Sequence, residues 1–99
     1  MKEAERILEE RMREALESWS DEKLIEEGVE RAMRAREALV RQGMSRPYSE
    51  EEIERIRREI REGLPKDEDG RRRWLMMNGG ERFNLRAIME ELRAEKKEN

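Results

Sequence analysis

An all-α fold follows from three features of this chain. Apolar residues recur at three- and four-residue steps, nearly every segment boundary carries a helix start or stop, and Glu and Arg fill the polar positions with no strand-like alternation. The expected architecture is one helical domain over residues 1–99, a small bundle of three amphipathic helices plus a short fourth and a C-terminal fifth, with an irregular segment at 63–84.

The first helix is predicted over 2–18, because Ala4, Ile7, Leu8, Met12, Ala15, Leu16 and Trp19 form one stripe. Continuing that stripe would need apolar residues where Glu22, Lys23, Glu26 and Glu27 stand, so the phase breaks. Ser20 is placed to cap a second helix, Asp21 and Glu22 suit its positive dipole end, and Trp19 can staple onto Leu24. That helix is predicted over 21–42, burying Ile25, Gly28, Val29, Ala32, Ala35, Leu39 and Val40. Gly28, Ala32 and Ala35 share a face on which a neighbouring helix could approach closely, and Gly43 is a natural left-handed stop.

Ser49-Glu50-Glu51-Glu52 reads as a capping box, with Tyr48 positioned to staple Ile53. It opens a third helix over 50–62 with the narrow stripe Ile53, Ile56 and Ile60, ended by Gly63-Leu64-Pro65. Asp67 caps a short helix over 68–78 that Gly79-Gly80 stops. A last helix over 85–97 starts at Asn84, with Phe83 and Ile88 at the staple positions.

Composition narrows the function classes. Of 99 residues 49% are charged, yet the net charge is −3, and mean hydropathy is −1.24 with 34% hydrophobic residues. The core must therefore be thin, which invites a second copy or another protein as partner. The longest apolar run, Trp74 to Met77, is far short of the ~20 residues of a membrane span. Residues 1–5 carry no signal-peptide pattern, so the protein is expected to be cytoplasmic or recombinant cytosolic and not secreted. No cysteine and no histidine are present, which removes disulfides, thiolate metal sites, histidine-ligated zinc or haem, and Ser–His or Cys–His catalysis. No phosphate-cradling glycine loop occurs either, and the chain is expected to be no enzyme and to bind no cofactor or metal.

Three segments could still carry chemistry. Asp67-Glu68-Asp69-Gly70 has a calcium-loop look, but with Gly70 at the sixth position the first and twelfth ligands fall on Pro65 and Met76, so the acids read as a helix N-terminus. Arg71, Arg72 and Arg73, with Arg82 and Arg86, could touch nucleic-acid phosphates beside Trp74. Asp67, Glu68 and Asp69 each lie four residues before one of the first three, so the expectation is a self-neutralised helix face and not a nucleic-acid site, at a pI of about 5.3. Trp74-Leu75-Met76-Met77 points all round a helix, so it is either buried between helices or partly an exposed anchor. Read as an anchor, Trp74, Met76, Met77 and Phe83 form a partner-binding surface; with Trp19 they could instead line a small-molecule pocket.

Propensity, capping and patterning agree with one another along the whole length. In that style the chain resembles a computationally designed all-helical protein. The resemblance implies a non-catalytic interaction protein: a designed binder, scaffold or assembly.

Overall fold

The computed structural model describes residues 2–98. Helix α1 spans Lys2–Ser18, α2 Asp21–Arg41, α3 Glu50–Gly63, α4 Glu68–Asn78 and α5 Leu85–Glu98, and a 3₁₀ turn at Glu81–Phe83 leads into α5. Among the described residues there is no strand, and no helix is long and apolar enough to cross a membrane.

The helix ends are made by the residues whose chemistry predicts them. Ser20 Oγ accepts from the Lys23 N–H at 3.1 Å, Asp67 from Gly70 at 2.8 Å and Asn84 from Ala87 at 3.0 Å. At α3 the box is reciprocal, with the Glu52 N–H donating to Ser49 Oγ at 3.2 Å and the Ser49 N–H to Glu52 Oε1 at 3.1 Å. Helix α2 ends in a Schellman arrangement: Gly43 takes φ 72°, its N–H donates to Val40 O at 3.0 Å and that of Met44 to Leu39 O at 2.9 Å. Helix α3 stops differently. Pro65 holds Leu64 extended at φ −66°, ψ 121°, and Gly63 needs no left-handed turn.

The five helices divide into two regions. Ala4, Leu8, Met12 and Ala15 of α1 form one core cluster with Leu24, Leu75, Phe83, Ile88 and Leu92. This body contains α1, α4, the 3₁₀ turn, α5 and the first turns of α2. The rest of α2 and all of α3 form a hairpin beyond it, and α3 packs mainly on α2. No α3 residue is buried, and no α2 residue beyond Val29. The outline is correspondingly open: the radius of gyration is 15.6 Å, where a compact chain of 100 residues has ~13 Å. The extents of 45 × 37 × 16 Å leave room for two helix layers at most, since packed helix axes lie about 8–10 Å apart.

The expected burial of α2 is therefore correct in its first half and wrong in its second. Ile25, Gly28 and Val29 are buried, but Ala32 and Val40 are half-buried, Ala35 is exposed and Leu39 is 40% exposed. Gly28 does make the close contact anticipated for the small-residue face: a Cβ there would stand 3.0 Å from Ile60 Cδ1 and 3.1 Å from Trp74 Cζ2. The seam ends there because of length. Twenty-one residues make α2 about 32 Å long, whereas the eleven-residue α4 that covers it reaches only about 16 Å.

Candidate functional site

The run Trp74 to Met77 is shared between core and solvent. Leu75 is fully buried, Trp74 lies half-buried with its ring beside Gly28, and Met76 and Met77 are 51% and 71% exposed. Phe83 does not join them on the surface, which corrects its placement in an exposed partner site. It is 1% exposed and meets Trp19 edge-on, with ring centroids 5.6 Å apart at 87°. Two glycines allow this. Gly80 takes φ 78°, and a Cβ at Gly79 would come within 2.4 Å of Phe83 Cδ2 and 2.5 Å of the Leu75 carbonyl. Trp19 and Phe83 thus fill the space between them, and only Met76 and Met77 of the anchor set present a full side chain outward.

The arginines are engaged, though with other partners than the spacing suggests. Arg71 donates to Asp21 at 2.7 Å and to the Pro65 carbonyl at 2.8 Å, and Arg72 grips both oxygens of Glu9 at 2.6 and 2.7 Å. The expected pairs within α4 are replaced by bridges from α4 to α2 and α1, because Asp67 is occupied as the cap and the arginine face turns toward those helices. Hydrogen bonding from Arg72 holds the Glu9 carboxyl below its ordinary range. Arg82 lies 5.7 Å from the Trp19 ring, while Lys23 approaches the same ring at 4.7 Å. Arg73 and Arg86 are exposed, Arg86 loosely beside Glu90 at 3.9 Å. The five arginines therefore do not make one free cationic face.

A second apolar surface lies on the hairpin. Met33, Val40, Pro47, Tyr48 and Ile53, with Arg36 and Glu37 at the rim, line a groove of about 220 Å³ between α2 and the start of α3. Arg36 braces the Tyr48 side chain, since its guanidinium stacks 4.1 Å above the ring and donates to Ser45 Oγ. At the start of α3, Arg46 donates to Glu52 at 2.7 Å. That bond and the Ser49 N–H and hydroxyl pull the Glu52 carboxyl down to about 2. Nearby, Met33, Leu39 and Met44 are 44%, 40% and 71% exposed. Sequence reasoning missed this surface because it assigned Leu39 and Val40 to the core. The mismatch between the lengths of α2 and of the short helix predicted after it was the available signal.

No protein-family model, curated protein or solved structure matches the chain.

Proposed function

We propose that this chain is a non-catalytic helical interaction module, a binder, scaffold or assembly unit produced by computational design, and that its working surface is the α2–α3 hairpin. The observation that carries the reading is an amphipathic helix pair with no buried residue after Val29. Helix α3 has a regular isoleucine stripe, yet Ile53, Ile56 and Ile60 are all only half-buried. Met33, Leu39 and Met44 add large apolar side chains that the body does not cover. Methionine adapts to irregular partner surfaces, and exposed apolar side chains gathered on one helix pair mark a contact site on a surface otherwise covered by charge. Met76 and Met77 provide a smaller second patch on α4.

Absence of cysteine and histidine supports the non-catalytic part, since neither the usual nucleophile–base pairs nor an imidazole base can be assembled. Design is supported by agreement of local signals, above all four side-chain caps with a complete capping box among them.

Selection of helical peptides from a display library against the immobilised chain tests the reading. Binders that lose affinity on Leu39→Glu are expected. If enriched peptides bind that variant as well as the parent, or none enrich against a chain that stays monomeric, the hairpin is not an interaction surface.

A further inference from the structure

We propose that the hairpin surface is completed by a second copy of this chain, two hairpins meeting face to face about a two-fold axis so that each α2 lies over the partner's α3. The inference rests on the interaction reading above and specifies its occupant. The stripe of α2 that the body covers at Leu24 and Gly28 continues through the half-buried Ala32 to Ala35 and Leu39, which stand exposed. A helix pair with one uncovered face is half of a four-helix bundle, and a second identical pair supplies the other half. Small side chains at Ala32 and Ala35 let a facing helix approach closely.

Charge decides between a second copy and other occupants. Residues 30–41 of α2 carry four arginines against two glutamates, whereas α3 carries six glutamates against four arginines. Two of those α3 arginines, Arg57 and Arg61, bond to Glu26 and Glu22 of α2, while Glu52 and Glu54 are bonded by Arg46 and Arg57, so four glutamates and two arginines of α3 stay outside these pairs and the acidic excess is kept. The hairpin thus sets a basic strip beside an acidic one. A two-fold contact requires a patch that complements itself, and this one does when α2 meets the partner's α3. A partner of one charge sign, such as nucleic acid, an anionic membrane or a basic peptide, would be repelled by one strip as it was attracted by the other.

Sedimentation equilibrium of the full chain from micromolar to millimolar concentration at low salt tests the proposal. The mass should rise from 12.0 kDa toward twice that value. Combining Ala35→Glu with Leu39→Glu, each present twice in a symmetric pair, should weaken association ~100-fold or more. Both positions are exposed or partly exposed in the single chain, so its far-UV spectrum and its melting temperature at high dilution should stay unchanged. As a second arm that leaves the apolar stripe intact, Glu59→Arg with Glu62→Arg should weaken pairing at low salt and lose most of that effect at ~1 M salt, where the screening length falls to about 3 Å. A mass of 12.0 kDa at every concentration overturns the proposal. So does a dimer that survives the α2 substitutions and is lost on Met76→Glu with Met77→Glu. A monomer that still binds library peptides in a Leu39-dependent manner sinks only the second copy and leaves the interaction reading standing; a monomer that binds none sinks both.

Discussion

The body and the hairpin are written in the same residues and capped with the same devices, yet they are held together differently. In the body, Leu8, Met12, Leu75, Phe83, Ile88 and Leu92 close a shared core, and ion pairs such as Arg72 with Glu9 and Arg11 with Glu91 run over its surface. The hairpin has the better local chemistry, with a complete capping box, a Schellman stop, the Arg36–Tyr48 stack and Arg57 bonded to both Glu26 and Glu54. None of its residues is fully buried in return. Local signals decide where a helix begins and ends, whereas most helical stability in proteins comes from the packing of an amphipathic face. The hairpin shows the first without the second, and its exposed ion pairs contribute little on their own.

Core truncation gives the widest separation between the regions. Phe83→Ala removes a side chain that is 1% exposed and seated against Trp19 and Gly79, so it should cost ~3–5 kcal/mol in urea unfolding. The half-buried Ile56→Ala should fall below that range, at roughly 1–2 kcal/mol in the dilute single chain. Equal costs would mean that the two regions share one core.

The capping box tests the hairpin at its strongest point. Ser49→Ala should cost ~1 kcal/mol, read as faster amide exchange through the first turns of α3 with protection in α1 and α5 unchanged. Matching losses in α5 would make the hairpin and the body one cooperative unit.

Acid should loosen the same corner. The Glu52 carboxyl sits at about 2 in the fold, below its ordinary 4.5, because Arg46 and Ser49 bond its charged form. A depressed carboxyl stabilises the fold fully above its unfolded value, and that contribution is lost as the pH falls from about 4.5 toward about 2. Amides at the start of α3 should therefore gain exchange rate across that window beyond the intrinsic pH trend. Glu52→Gln, which keeps a capping acceptor without the charge, should flatten the gain. A parent and a variant with the same profile would remove Glu52 as the cause.

These contrasts also separate what was legible in the sequence from what was not. Ser20, Ser49, Asp67 and Asn84 act within three residues of themselves, so the helix starts could be read directly. Burial depends on which helix covers which, and that is set by lengths and turns distant in the chain. Ala35 and Leu39 continue the stripe begun at Leu24 and Gly28, but α4 is too short to reach them. Phe83 looked like a staple residue beside an exposed run until Gly79 and Gly80 folded it inward. Arg72 has Glu68 four residues before it and bonds instead to Glu9, 63 positions away, a choice that only the packing of α4 on α1 makes. Of the candidate site, the outward-facing methionines of α4 were legible, because four consecutive apolar residues cannot share one face; Met33 and Met44 were not.

The smallest expected effect is the most specific to the surface reading. Met76 and Met77 follow the fully buried Leu75 directly, so a helix that seats Leu75 must turn the next two side chains away. At 51% and 71% exposure they have little packing to lose. Met77→Ala should leave the urea midpoint within about 0.5 kcal/mol of the parent in unfolding free energy, and Met76→Ala should behave similarly, because surface substitutions outside caps and cores rarely exceed that. Alanine also has the higher helix propensity, which offsets part of any lost contact. A loss of ~2–5 kcal/mol from either substitution would instead be the signature of a buried methionine. It would place α4 inside a larger core than the body contains, and the distinction between a packed body and an uncovered hairpin would have to be redrawn with α4 on the boundary.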